Sequence, residues 1–267
     1  MAEYENNLEL FKFLSLSDAK MEYISQSSNS NILNMSFDSR LSLILLSEKN
    51  QRINRRIKRK FKEANLKFTV LENDFIFENQ NRNITKSQLA ELCQLNFIKY
   101  NKNLAISGPT GVGKTYLVHL IAYRAIKANL NVRYHRLSNL LELIVIHRQQ
   151  GTYRSFANSY KNIDLLVIDD FGLSPINLNA SRELLDIIDD RVKLKSTIIS
   201  SQYPIQSWYG LIEDKTVSDA IMDRLINSSI SIELKGESMR KILSDTTESK
   251  INEEKEVNIE NTNNVQG

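Results

Sequence analysis

The chain has 267 residues, 41% of them hydrophobic and 25% charged, with a net charge of +3, which is the composition of an ordinary globular protein of one or two domains. Its single cysteine, Cys93, excludes an internal disulfide framework and is typical of the reducing cytoplasm. No apolar run approaches the roughly 20 residues of a membrane-spanning helix, and the N-terminus lacks the pattern of a secretory signal. We therefore expect a cytoplasmic protein without a membrane contact.

The N-terminal region, about residues 1–85, is predicted to be a small helical domain. Its main element is a long helix that ends near Asn65 and begins at Asp38 or Ser39, either of which can cap the first turn. An apolar stripe at helical spacing supports this helix. The stripe consists of Leu41, Leu45, Ile53, Ile57 and Phe61. Shorter helical segments are predicted at 8–16 and 18–25, and a polar loop at 26–34.

The long helix is strongly basic, because residues 49–67 hold nine Lys or Arg and one acid, Glu63. Cations outside the apolar stripe can contact DNA phosphates, which gives binding that depends on salt and little on sequence. A solvated basic face that binds nothing is the alternative. The candidate DNA-binding residues are Arg52, Arg55, Arg56, Arg59 and Lys60.

The second region, about residues 86–243, alternates apolar strands with helices. Strands are predicted at 103–107, 131–136, 163–168, 196–200 and 229–234, and helices at 114–129, 137–150, 178–192 and 216–227. This alternation predicts an α/β fold, in which helices cover both faces of a parallel sheet. Residues 244–267 are polar and are predicted to form a disordered tail.

A phosphate-binding P-loop is predicted between the first strand and helix of this region. Gly108, Gly113, Lys114 and Thr115 have the spacing G-x-x-x-x-G-K-[ST]. Glycines let successive backbone N–H groups turn toward a phosphate, the lysine reaches the β- and γ-phosphates, and the threonine hydroxyl binds Mg²⁺. A glycine-rich turn with a fortuitous lysine is the alternative, but it does not require the strand and helix on either side. The predicted ATP-binding residues are Gly108, Pro109, Thr110, Gly111, Val112, Gly113, Lys114 and Thr115.

Two acids, Asp169 and Asp170, end the most apolar predicted strand. A buried strand that ends in an acid brings a carboxylate beside the phosphates, so Asp169 is predicted to bind Mg²⁺ with Thr115. Asp170 is the candidate general base that orients the attacking water. Acids that merely end a strand are the alternative, which the P-loop before them makes less favoured. Asp170-Phe171-Gly172 also spells a protein-kinase motif, but the other kinase motifs are missing.

Two further residues complete a plausible ATPase site. The segment Ser200-Ser201-Gln202 ends the fourth predicted strand and can place a polar side chain near the γ-phosphate, although a simple cap at the strand end explains it equally well. Arg224 lies near the end of the last predicted helix, where a cation is favoured by the helix dipole. Its alternative role is an arginine finger that acts on the ATP of a neighbouring subunit.

Six segments together resemble the IstB family, the ATPase helper proteins of certain bacterial insertion sequences. They read GPTGVGKT, VRYHRL, DLLVIDDFGLSP, STIISSQYP, SDAIMDRL and IELKGESMRK. The resemblance runs from about Leu8 to Lys241. It implies an AAA+ ATPase of the helicase-loader and initiator branch, with a sheet of strand order 5-1-4-3-2.

The resemblance also implies a function, namely ATP-dependent self-assembly on double-stranded DNA and recruitment of a partner transposase. It makes Lys114 and Thr115 Walker A residues and Asp169 and Asp170 Walker B residues. It also puts Ser201 near the first sensor and makes Arg224 the arginine finger. Asp170 stands where most AAA+ proteins have glutamate, a shorter reach that would slow hydrolysis. The resemblance leaves the second sensor open, with Arg240 as a weak candidate.

Other functions remain open at this point. A replicative helicase loader similar to DnaC would share the ATPase core but would bind a helicase. A P-loop kinase for small molecules would need neither Arg224 nor the basic helix. A DNA-binding scaffold with an inactive ATP site would bind ATP without hydrolysing it.

Overall fold

The computed structural model describes residues 2–71, 73, 83–173, 176–227 and 229–239. The chain forms two compact units, Met1–Lys62 and Glu63–Gly267, whereas the sequence placed a domain boundary near residue 85. Arg240 and the predicted tail at 244–267 lie outside the described residues. Within the described ranges, none of the helices has the length and apolar character needed to cross a membrane.

The first unit is helical, as the sequence predicts. Its helices are α1 (Ala2–Phe13), α2 (Ser17–Ser27), α3 (Ser30–Leu33) and α4 (Phe37–Glu63). α4 begins earlier than predicted, because Ser36 Oγ accepts a hydrogen bond from the Ser39 amide at 3.3 Å and so caps the helix. The short α3 lies in the predicted polar loop. It was not predicted, because four residues are too few to show a helical period.

The buried face of α4 differs from the predicted apolar stripe. Leu41 and Leu45 are 38% and 54% exposed, whereas Ile44 and Glu48 are buried. An acid is buried here because α2 has no side-chain cap of its own. Glu48 Oε2 accepts the α2 amides of Asp18 at 2.9 Å and Ala19 at 3.1 Å, and thereby satisfies two N–H groups that the helix leaves without partners.

Glu48 is charged in this setting. Burial acts to raise the pKa of Glu48, but hydrogen bonds from Arg52 and from the Ala19 and Asp18 amides outweigh burial and lower it. The folded state therefore favours the carboxylate. The resulting stabilisation is fully present above the ordinary glutamate pKa of about 4.3 and is lost as the pH falls through the lowered value.

We expect Glu48→Ala to lower the free energy of unfolding of the N-terminal helices by about 1–3 kcal/mol, because two buried amides lose their acceptor. Urea unfolding of the full chain and hydrogen exchange at Asp18 and Ala19 would measure this loss, which should shrink as the pH falls through the lowered pKa of Glu48. Glu9→Ala, an exposed acid on α1, is the control and should change stability by less than about 0.5 kcal/mol. Equal effects of the two variants would contradict the capping role.

The second unit is an α/β fold, which confirms the predicted class. Its strands are β1 (Asn103–Ser107), β2 (Val132–Arg136), β3 (Leu165–Asp169), β4 (Ser196–Ser201) and β5 (Ser229–Glu233). Its helices are α5 (Lys86–Cys93), α6 (Asn96–Lys99), α7 (Lys114–Lys127), α8 (Leu137–Gln149), α9 (Tyr153–Lys161), α10 (Leu178–Asp189) and α11 (Lys215–Ile226), with a 3₁₀ helix at Ile205–Leu211. Four of these elements were not predicted from the sequence, namely α5, α6, α9 and the 3₁₀ helix.

The five strands of the described part are parallel and lie in the order β2-β3-β4-β1-β5, which confirms the order implied by the family resemblance. Because all strands run the same way, their carboxyl ends meet at one edge of the sheet. Ser107 lies opposite Ser201, and Arg136 lies opposite Asp169. The loops after β1, β2, β3 and β4 therefore start side by side.

A short segment directly after α4 packs on the second unit; we call residues 64–70 the connector. Ala64, Leu66 and Val70 are buried. The Ala64 carbonyl accepts a hydrogen bond from the Tyr134 amide of β2 at 2.8 Å. The connector is thus part of the second unit, although its sequence is too irregular to assign to an element.

Candidate nucleotide-binding site

The predicted P-loop joins the buried strand β1 to helix α7. Gly113 has φ of 101° and is the N-cap of α7. The loop therefore leads directly into the N-terminus of this helix, where the helix dipole favours an anion. This is the geometry that a phosphate-binding loop requires.

The glycines of the loop are needed for close packing. A Cβ at Gly108, where φ is 146°, would clash with the Leu234 carbonyl oxygen, and one at Gly111 would clash with the Ser238 side chain. The Met239 amide donates to the Gly111 carbonyl at 2.9 Å. The residues that follow β5 thus lie directly against the P-loop.

Hydrogen bonds fix the polar side chains of the loop. Lys114 Nζ donates to the carbonyls of Gly108 at 2.7 Å and Pro109 at 2.9 Å. Thr110 Oγ1 donates to Gln202 Oε1 at 2.6 Å, while Val112 is buried. The ammonium group therefore lies beside the loop that would surround a phosphate.

Asp169 lies next to the P-loop, at the end of β3, and is 1% exposed. Its Oδ2 accepts from Thr115 Oγ1 at 3.0 Å and Tyr134 OH at 2.8 Å. Its Oδ1 accepts from Ser200 Oγ and, at 3.0 Å, from the Asp170 amide. A hydroxyl and a carboxylate in contact are oxygen ligands of the kind that Mg²⁺ prefers, so the residues present fit this ion.

Asp170 has an unusual backbone, with φ of 59°. A left-handed conformation costs about 1–2 kcal/mol for a residue other than glycine, and such residues cluster at functional sites. Its carboxylate is one-third exposed and pairs with Arg136 Nε at 3.3 Å. Asp170 thus lies beside Asp169 with access to water.

The structure places Ser201 away from the nucleotide site. Its hydroxyl donates to the Phe171 carbonyl at 2.6 Å and accepts from the Tyr203 amide at 3.1 Å. Side chains alternate across a strand, so Ser200 and Gln202 lie on the opposite side from Ser201, where they contact Asp169 and Thr110. The alternation of β4 is the signal that identifies these two residues.

Arg224 lies at the opposite edge of the sheet from the P-loop. Its carbonyl accepts from Asn103 Nδ2 at 3.0 Å, and Asn103 begins β1, about 13 Å from the end of that strand. Its Nε pairs with Asp189 at 2.5 Å. The structure therefore does not bring Arg224 to the P-loop of its own chain.

The five candidate DNA-binding residues differ in their surroundings. Arg52 pairs with Glu48 at 2.6 Å and also donates to the Ser15 carbonyl. Arg55 pairs with Asp18 at 2.5 Å. The side chains of Arg56 and Arg59 are exposed, and that of Lys60 is half-buried.

The sequence matches the model of a known family. The "IstB-like ATP binding protein" family matches residues 7–247. A protein of Sinorhizobium fredii that is named as an insertion sequence ATP-binding protein is 33% identical over 235 residues, which cover 88% of this chain and 94% of that protein. The insertion sequence IS21 ATP-binding protein of Pseudomonas aeruginosa is 27% identical over 84% of this chain and 86% of its own.

Solved structures share the fold. AMPPCP-bound DnaA from Aquifex aeolicus superposes with a TM-score of 0.51 at 24% identity, over 70% of this chain and 56% of that one. DnaI superposes with a TM-score of 0.52 at 22% identity, over 62% of this chain and 91% of that one. The fold is that of the AAA+ P-loop proteins, and the chain belongs to the IstB-like family of ATP-binding proteins.

Proposed function

We propose that this protein is an ATPase that assembles on double-stranded DNA when ATP is bound and assists the transposase of an insertion sequence. The observation that carries the ATPase part is the hydrogen bond between Thr115 of the P-loop and the buried Asp169. The names of the relatives, which are ATP-binding proteins of insertion sequences, support the role in transposition.

The nucleotide chemistry divides among few residues. Gly108–Thr115 bind the phosphates, and Lys114 exchanges its two loop carbonyls for phosphate oxygens. Thr115 and Asp169 would hold Mg²⁺, which would neutralise phosphate charge. Asp170 orients the attacking water and accepts its proton, while Arg136 sets the direction of the Asp170 carboxylate.

Oligomers form through shared ATP sites in this proposal. Arg224 lies at the edge of the sheet away from its own P-loop, so it can stabilise transition-state charge only at the P-loop of a neighbouring subunit. Its ion pair with Asp189 must open when that contact forms. ATP thus acts as a signal for assembly.

The contact with DNA is assigned to one part of α4. Arg52 and Arg55 each pair with an acid of their own unit, so their charge is already compensated. Arg56, whose side chain is exposed, is the better candidate for a phosphate contact, which would give little sequence specificity.

We expect Arg56→Ala to weaken duplex DNA binding and to reduce the slope of log K against log salt by about 0.9, the value for one lost phosphate contact. Fluorescence anisotropy of a labelled duplex over a salt series measures both quantities. Arg52→Ala is the matched control, because it should leave the salt slope unchanged and lower stability instead. The reverse pattern would overturn this assignment.

Assembly is tested by negative-stain imaging of the full chain on duplex DNA with ATP, with ADP and without nucleotide. Ordered oligomers should form only with ATP and DNA together. Oligomers that form equally without nucleotide would contradict the proposal.

A replicative helicase loader is the second candidate, because the same ATPase core would serve either function. Pull-down experiments with purified partners separate the two functions. Capture of a transposase encoded beside this gene, but not of a replicative helicase, is the expected result, and the opposite capture favours the loader.

A further inference from the structure

Tyr134, a residue of β2, contacts the candidate magnesium site. It lies opposite Val167 of the neighbouring strand β3 and is 2% exposed. Its hydroxyl donates to Asp169 Oδ2 at 2.8 Å. Neither the predicted motifs nor the comparisons assign a role to it.

We propose that Tyr134 is a positioning residue that orients the Asp169 carboxylate toward Mg²⁺, and that the connector holds Tyr134 in place. The proposal rests on the proposed function of Asp169 as a magnesium ligand.

The hydrogen bonds of the carboxylate give Tyr134 a distinct part. Ser200 Oγ and the Asp170 amide donate hydrogen bonds to Oδ1. Within the described residues, the hydrogen bonds to Oδ2 come from Thr115 and Tyr134. Thr115 is itself a proposed magnesium ligand. Tyr134 is therefore the remaining side chain that restricts rotation of the carboxylate on the side of Oδ2.

The Tyr134 hydroxyl can act only as the donor in this contact, because the Asp169 carboxylate only accepts hydrogen bonds. Partners of metal ligands of this kind typically contribute 10–100-fold to metal affinity.

The connector supports the tyrosine from two sides. The Ala64 carbonyl accepts the Tyr134 amide at 2.8 Å. The ring of Phe68 stacks on His119, with centroids 4.2 Å apart and an angle of 3°, and His119 packs against Tyr134 at 4.8 Å. His119 Nδ1 also lies 2.9 Å from the Thr115 carbonyl, so one aromatic stack reaches both residues that bond Oδ2.

The test is Tyr134→Phe in the full chain, which removes only the hydroxyl. The affinity for a fluorescent ADP analogue is measured in EDTA and over a range of Mg²⁺ concentrations. We expect unchanged affinity in EDTA and a 10–100-fold higher half-saturating Mg²⁺ concentration. Tyr160→Phe is the matched control, since Tyr160 is equally buried and its hydroxyl contacts His135 Nε2 at 2.8 Å; its magnesium dependence should equal that of the wild type.

The role of the connector is tested with Phe68→Ala and with the double variant. Phe68→Ala should raise the half-saturating Mg²⁺ concentration several-fold, and the double variant should show less than the product of the two separate effects, because both act through one hydroxyl. Independent, multiplicative effects would overturn the connector's role. Phe68→Ala also serves as the test if Tyr134→Phe does not fold.

A half-saturating Mg²⁺ concentration within twofold of the wild type for Tyr134→Phe would overturn the positioning role while leaving nucleotide binding intact. A wild-type protein whose nucleotide affinity does not respond to Mg²⁺ would instead overturn the proposed metal site at Asp169, and the positioning role with it.

Discussion

Replacing Lys114 by alanine should strongly weaken ATP binding. The ammonium group now donates to the Gly108 and Pro109 carbonyls, and in the ATP-bound state it would donate to phosphates. Two charge-assisted hydrogen bonds contribute about 3–6 kcal/mol, so we expect a loss of affinity of about 10²–10⁴-fold. Isothermal titration calorimetry measures it.

The control for this variant is Lys102→Ala. Lys102 is exposed and directly precedes β1, at the opposite edge of the sheet from the P-loop, so ATP affinity should not change. If Lys114→Ala still formed ATP-dependent oligomers on duplex DNA, the proposed role of the P-loop in assembly would be wrong.

Arg224→Ala should leave ATP affinity within about threefold of the wild type and reduce the turnover number by 10³-fold or more, which is the usual effect of removing an arginine finger. Affinity is retained because Arg224 lies at the edge of the sheet away from its own P-loop. Phosphate release in the presence of duplex DNA measures turnover. Arg182→Ala, an exposed arginine on α10, is the control and should hydrolyse ATP normally.

A mixing experiment shows whether Arg224 acts on a neighbouring subunit. Lys114→Ala chains have an intact Arg224, and Arg224→Ala chains have an intact P-loop, so a mixture of two inactive proteins should regain hydrolysis at the mixed interfaces. A purely structural role predicts no recovery. It also predicts that Asp189→Ala, which breaks the observed ion pair, reduces turnover as much as Arg224→Ala does.

The candidate nucleotide site could largely be predicted from the sequence because its signals are local. Gly108–Thr115 is a continuous motif, and Asp169 ends a strand of consecutive apolar residues. Each can be recognised without knowing which parts of the chain meet. The parallel sheet then brings the two motifs together, since the carboxyl ends of its strands share one edge.

Contacts between distant residues could not be predicted in this way. Nothing in the sequence near Glu48 indicates that its carboxylate caps α2 some 30 residues earlier in the chain. Nor does it indicate that the same carboxylate forms an ion pair with Arg52. Tyr134 reaches Asp169 only because β2 and β3 are neighbours in the sheet. Such pairings depend on the tertiary fold, which propensity and periodicity do not determine.

Two features that were not predicted, the helix α9 and the contact of Ser200 with Asp169, nevertheless had signals in the sequence. In α9, Tyr153, Phe156, Ala157 and Tyr160 recur at helical spacing, and three of the four are buried. The choice between Ser200 and Ser201 follows from the two-residue period of β4 once the end of the strand is known, and strand ends are the least certain part of sequence-based assignment.

The connector also covers a vulnerable part of the sheet. β2 is an outermost strand, and the unpaired backbone of such strands invites association with other chains. The Ala64 carbonyl accepts a hydrogen bond from the Tyr134 amide on the side of β2 that faces away from β3. A fragment cut at residue 86, where the sequence places the start of the ATPase domain, would expose this strand and should aggregate, whereas one that begins at Glu63 keeps it covered.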